Sequence, residues 1–158
     1  MSLESVRAYF AAHAPDVAVL ESPMSSATVT LAAQAYGVPP EHIAKTLSLR
    51  IGERVVLLVT SGTARLDNRK AKAAFGGKPK MLGVEDVAEI TGHEVGGVCP
   101  FGLKSPLPVY CDVSLQAFAE VVPAAGSTHS AVRIAPQRMA ELVNAQWVDV
   151  CEARIEPA

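Results

Sequence analysis

The stretch from Lys45 to Thr60 constrains the fold more than any other part of this chain. Leu47, Leu49 and Ile51 alternate with Thr46, Ser48 and Arg50, a period of two that suits a pleated strand and no helix. Gly52-Glu53 offers a turn, and Arg54 to Thr60 is a nearly continuous apolar run. The pattern predicts a hairpin with one strand buried on both faces.

Helical spacing surrounds it. Val6, Tyr9, Phe10 and His13 recur on one face of a helix over residues 2–13, with Ser2 as its expected N-cap. A short strand is expected over Val17 to Leu20. Ser25-Ser26 is expected to cap a helix that runs to Tyr36 and stops at Gly37. Pro39-Pro40 restarts the chain, and Glu41 to Ala44 has room for one turn. Asp67 caps a helix to about Phe75 that Gly76-Gly77 ends, and Gly92 stops another over residues 83–90. Residues 91–106 are rich in Gly, Pro and Thr and carry no period, an irregular length that is uncommon inside a domain and often functional. Strands are expected at 108–112, 120–124, 130–135 and near Trp147 to Cys151, with a helix opening on Pro136. Hairpins mixed with helices imply an α+β domain on a mixed, largely antiparallel sheet.

With 158 residues there is chain for one domain, expected to span residues 1–158. Hydrophobic residues at 49% and charged residues at 19% exclude a disordered chain, while 5% aromatics leave the core to Val, Leu, Ile and Ala. A net charge of −2 argues against coating nucleic acid by bulk charge but leaves a local basic patch open. No apolar run approaches the roughly 18 residues of a membrane helix, and the N-terminus lacks the order of a signal peptide. Cys99, Cys111 and Cys151, odd in number and without a C-x-x-C pair, fit reduced thiols. A soluble, cytoplasmic protein is expected.

Standard catalytic signatures are absent: no G-x-S-x-G elbow, P-loop, H-E-x-x-H or G-x-G-x-x-G after a strand. His93-Glu94 reads as surface, and none of the four histidines pairs locally with a cysteine. Three features stand out. Lys45, bordered by apolar residues at a strand start, is either a snorkelling surface residue or a cation aimed into a cleft. Gly96-Gly97-Val98-Cys99-Pro100-Phe101-Gly102 is either an ordinary turn or a loop that brings backbone close to a ligand. Arg65, Arg69, Lys70, Lys72, Lys78 and Lys80, opposed only by Asp67, give a local charge of six minus one, or +5. That cluster is either a solvated face or a phosphate-docking surface.

Taken in order with Ala32-Ala33-Gln34-Ala35-Tyr36-Gly37-Val38, Ile43-Ala44-Lys45-Thr46-Leu47, Ser61-Gly62-Thr63-Ala64-Arg65-Leu66-Asp67, Ala124-Ala125-Gly126 and Ile134-Ala135-Pro136, these features form a set. The sequence resembles the YbaK/EbsC family, free-standing relatives of the editing domain inserted in bacterial prolyl-tRNA synthetases, from about residue 16 to 151. The resemblance implies a barrel-like mixed sheet and hydrolysis of the ester of a mischarged tRNA, expected to be tRNA-Pro carrying a small amino acid. Lys45 matches the family's lysine, which orients the aminoacyl-adenosine end. Gly96, Gly97, Val98, Cys99 and Pro100 match its G-x-x-x-P loop, and Gly126 matches a pocket glycine. Ser127, Thr128, Thr28 and Ser61 complete the implied substrate-binding set. Ser127-Thr128-His129 departs from the Gly-Lys-Arg-Gly run of some subgroups. The six basic residues would bind tRNA. Aminoacyl-tRNA is the implied partner and prolyl-tRNA synthetase a further candidate, with no metal or cofactor expected. An aminoacyl ester is already activated, so positioning and oxyanion stabilisation suffice without a triad. Cys99 is expected to be a wall residue setting pocket size and not a nucleophile. The alternative reading is a non-catalytic tRNA-binding or synthetase-accessory module of the same fold.

Overall fold

Helix α1 (Ser2–His13) turns Val6 and Phe10, one helical turn apart, into the core; the computed structural model describes residues 2–152. Ser2 is the first helical residue and not a cap outside it, and its Oγ donates to the Gly126 carbonyl. Strand β1 (Leu20–Glu21) precedes α2 (Val29–Tyr36). Thr28, not Ser25 or Ser26, caps α2 by accepting the Leu31 N–H. Ser25 and Ser26 are spent in the turn before it, Ser25 Oγ on the Ala27 N–H and Ser26 Oγ on the Thr128 carbonyl. Gly37 closes the helix in the left-handed region.

A 3-10 turn (Pro40–His42) leads into β2 (Ile43–Ile51), which pairs antiparallel with β3 (Arg54–Ser61) as the alternation predicts. Asp67 caps α3 (Asn68–Phe75) by accepting the Lys70 N–H. Then follow β4 (Lys80–Met81), α4 (Val84–Thr91), and the irregular segment over 91–106. The chain continues through β5 (Val109–Asp112), β6 (Val122–Pro123), β7 (Ser130–Ala131), α5 (Pro136–Leu142) and β8 (Gln146–Val148). The strands expected over 120–124 and 130–135 shrink to two residues each, because irregular chain and a helix take over on either side.

The main sheet runs β4-β2-β3-β5-β8, with β6 also on β2, while β1 and β7 make a separate pair. The hairpin and β4 pair antiparallel; β2–β6, β3–β5 and β5–β8 are parallel. This is an α+β fold on a mixed sheet, which stays open with β4 and β8 at its edges instead of closing into a barrel. Val56, Leu57, Leu58 and Val59 are wholly buried, so β3 is the strand covered on both faces. On one face Leu57 and Val59 pack with Ala44, Phe10, Phe101 and Met139; on the other Val56 and Leu58 pack with Leu49, Ala71 and Phe75.

The outer edge of β2 places the site. It pairs with β6 at Ile43–Ala44 and with β4 at Leu49–Arg50. Leu82 N–H extends the second contact to the Ser48 carbonyl at 3.0 Å, so between the two contacts no strand among the described residues covers Lys45 to Leu47, and a cavity opens against that gap.

Candidate active site

The cavity has a volume of about 270 Å³. Its walls are Thr28, Val29 and Ala32 from the start of α2, Ala44, Thr46 and Ser48 from β2, Gly96 and Val98 from the irregular segment, and Val122 and Ala124 at β6. Met81, Val84 and Val95 line its mouth although they are 61%, 69% and 50% exposed, which makes an apolar rim open to solvent. Among the described residues Lys45 is the one charged residue along its walls.

Side chains alternate along a strand, so Ala44, Thr46 and Ser48 share one face of β2, and Lys45 shares the other with Leu47 and Leu49. Lys45 is half-buried, and its Nζ donates to the Ala64 carbonyl at 2.7 Å. Burial holds its amine below the ordinary lysine value and Arg65 pushes the same way, while Cys151 pulls it back up. Both Ala64 and Arg65 line a second cavity of about 650 Å³ at the C-terminal ends of β3 and β5. The lysine thus stands between the two cavities, with one of its three N–H groups committed.

Among the residues singled out for substrate, Thr28, Gly96 and Val98 line the first cavity with Lys45, whereas Gly97, Cys99, Pro100, Gly126, Ser127 and Thr128 do not line it. Ser61 lines the second cavity, its Oγ donating to the Glu41 carbonyl at 2.7 Å. The glycines are also required by loop packing. A β-carbon on Gly97 would lie 2.7 Å from the Ser127 nitrogen, and one on Gly96 would lie 3.0 Å from the Ala27 β-carbon. Gly97 N–H donates to the Glu94 carbonyl at 2.9 Å, and its carbonyl accepts the Gly126 N–H at 3.0 Å. The 94–98 turn and the 126–128 turn are therefore one unit.

His93 is wholly buried, which corrects its surface reading. Nε2 lies 2.7 Å from the Phe101 carbonyl, an acceptor only, so that nitrogen carries the proton. Cys99 Sγ sits 3.6 Å from the same nitrogen and 3.6 Å from the same carbonyl. Chain spacing hides this pair, yet it is no nucleophile: Nε2 has no free lone pair to take the thiol proton. Burial pushes the Cys99 thiol up to about 12 and the His93 imidazole down. Cys99 packs in the core beside Phe101 and does not set the pocket wall, a role that falls to Val98.

Of the basic cluster, Arg65, Arg69, Lys72, Lys78 and Lys80 are exposed. Lys70 is not free: its Nζ lies 3.2 Å from Asp149 Oδ1 and 3.1 Å from the Cys151 carbonyl. Sequence clustering missed Arg50, which β-pairing sets opposite Lys80. It also missed Thr46 and Ser48, although they occupy the polar phase of the β2 alternation, and the rim, whose apolar residues carry no local signal. Among the described residues no group of three His, Cys, Asp or Glu side chains could hold a metal ion, and no helix is long and apolar enough to cross a membrane.

The family model of the aminoacyl-tRNA editing domain matches residues 24–142, which takes in both turns and all of β2. The uncharacterized protein YwhH of Bacillus subtilis (strain 168) is 47% identical over 154 residues, 96% of this chain and 98% of that protein. EbsC of Enterococcus faecalis (strain ATCC 700802 / V583), a candidate Cys-tRNA(Pro)/Cys-tRNA(Cys) deacylase, is 31% identical over 121 residues, 75% of this chain and 73% of EbsC. The crystal structure of a candidate trans-editing enzyme for prolyl tRNA synthetase superposes with a TM-score of 0.88 at 34% identity, covering 96% of this chain and 98% of that one. With motifs, fold and relatives in agreement, the chain belongs to the aminoacyl-tRNA editing domain family, among the YbaK/EbsC relatives of the prolyl-tRNA synthetase editing domain.

Proposed function

We propose that the protein is a trans-acting deacylase that hydrolyses the ester of a mischarged aminoacyl-tRNA, with tRNA-Pro bearing a small amino acid as substrate. The observation that carries this reading is the cavity at the open edge of β2, walled by Gly96 and Val98 and bordered by Lys45, inside the segment that matches an editing domain. A cavity of about 270 Å³ has room for a small aminoacyl group and excludes a large one. The apolar rim of Met81, Val84 and Val95 suits the terminal adenosine.

The ester needs little activation, so the protein's work is positioning and charge stabilisation. The Gly97 N–H is already bonded to Glu94. The developing oxyanion is therefore served by the remaining Lys45 N–H groups and by loop N–H groups beyond Gly97. A ribose hydroxyl of the substrate holds the attacking water. Exposed Arg69, Lys72, Lys78 and Lys80, with part-buried Arg50 paired opposite Lys80, guide the tRNA backbone, and prolyl-tRNA synthetase, named for the structural neighbour, is the candidate partner.

The test is incubation of the protein with tRNA-Pro charged with alanine, serine, cysteine or threonine, following ester loss against the spontaneous rate. Accelerated loss for at least one small aminoacyl group is expected. Binding without acceleration across the panel would replace the enzyme reading by a non-catalytic accessory module.

A further inference from the structure

Thr46 lies in the middle of the uncovered edge of β2 and lines the first cavity, yet its Oγ1 is buried and has no hydrogen-bond partner. Three other hydroxyls of that wall are committed. Ser26 Oγ donates to the Thr128 carbonyl at 3.0 Å, Thr28 Oγ1 accepts the Leu31 N–H at 3.2 Å, and Ser130 Oγ pairs with Ser127 Oγ at 2.7 Å. Val29, Ala32, Ile43, Val98 and Val122 make the surroundings apolar. A buried hydroxyl left unpaired costs free energy that a matching ligand atom returns. Nothing in the fold demands this one, since valine has the same shape and suits a strand at least as well.

We propose that Thr46 is a specificity-determining contact: its hydroxyl pairs with a hydroxyl on the aminoacyl side chain, so the cavity takes seryl or threonyl groups over their isosteric alkyl counterparts. The α-ammonium is a poorer match, because it is common to every aminoacyl group and would meet the like charge of neighbouring Lys45. Charged side chains are excluded by the apolar wall. A second hydroxyl, that of Ser48, stands two residues along on the same face and extends the polar strip. The turnover part of this inference rests on the deacylase reading; the binding part does not.

The test compares seryl with 2-aminobutyryl groups, which differ only by hydroxyl against methyl. Binding is measured with the non-hydrolysable 3′-aminoacylamino-3′-deoxyadenosines, and single-turnover hydrolysis with the two charged tRNAs. Wild type is expected to prefer the seryl ligand by about tenfold, the scale of one net hydrogen bond. Thr46→Val should bring the two within about twofold without lowering the melting temperature, and Thr46→Ser should keep the preference. A seryl preference unchanged in Thr46→Val, or none in wild type, overturns the assignment. A Thr46-dependent binding preference without hydrolysis of these two esters or of any ester in the alanine, serine, cysteine and threonine panel would support the assignment and refute the deacylase reading.

Discussion

Lys45 and Cys99 both have chemistry-bearing side chains at the candidate site, and their surroundings separate them. The Lys45 ammonium is half-buried with N–H groups to spare, whereas the Cys99 thiol is wholly buried and pushed up to about 12. Lys45→Ala is expected to slow single-turnover deacylation by about ten- to a hundred-fold, the loss of one charge-assisted contact. Circular dichroism should not change. Cys99→Ala should keep turnover within about threefold while costing about 1 kcal/mol of stability for the void left beside Phe101. A dead Cys99→Ala beside an active Lys45→Ala would reverse the assignment. Strand position singled out Lys45 but left it open between a surface cation and one aimed into a cleft; its bond to the Ala64 carbonyl came from the fold. The burial of His93 was not legible, since its partner is the carbonyl of Phe101, eight residues away across an irregular segment.

At the scale of elements, the irregular segment is held by one aromatic anchor. Phe101 is wholly buried, with its ring centroid 4.7 Å from that of Phe10 on α1. Its glycines dock it on the turn after β6. Gly97→Val would drive a side chain into the backbone of Ser127, so both the melting temperature and the deacylation rate should fall. A Gly97→Val protein as stable and as active as wild type would contradict this docking. On α3 the cations divide into free and structural. Replacing Arg69 and Lys72 by Gln should reduce the salt dependence of tRNA binding by about two in log–log slope, since two counterions fewer are released. Lys70→Gln should instead lower stability, through its lost contacts to Asp149 and Cys151. An unaltered slope in the double variant would remove α3 from the tRNA surface. The cap of α3 was readable from Asp67 alone, but the cap of α2 was not. Ser25, Ser26 and Thr28 all have the right chemistry, and only backbone geometry chose Thr28.

Across the whole molecule, distant parts of the chain are tied by groups that local pattern does not connect. Arg138 on α5 makes a bidentate pair with Asp16, which follows α1, at 2.6 and 2.7 Å. This hydrogen bonding lowers the Asp16 carboxyl from its ordinary 3.8 to about 2. A lowered carboxyl stabilises the fold at pH values above its unfolded pKa, and that contribution fades as pH falls through the folded one. The stability difference between wild type and Arg138→Gln should therefore narrow between pH 5 and about pH 2, and narrow also with added salt because the pair is exposed. Urea midpoints at the two pH values measure it, and a gap that stays constant would show that the pair contributes nothing.

By itself the sequence determined the hairpin, α1, α3, α4, the glycine stops and the irregular stretch, because periodicity and capping act between residues at most a few positions apart. Only the tertiary structure decided where the cavity lies. The gap at Lys45 to Leu47 exists because β4 with the adjoining Leu82, and β6, about thirty and eighty residues further on, cover the two ends of β2 and leave its middle bare. The same long-range packing spent Lys70 on Asp149, turned His93 inward and left the Thr46 hydroxyl without a partner. Such pairings are set by which surfaces bury each other, and the order of residues along the chain does not display that.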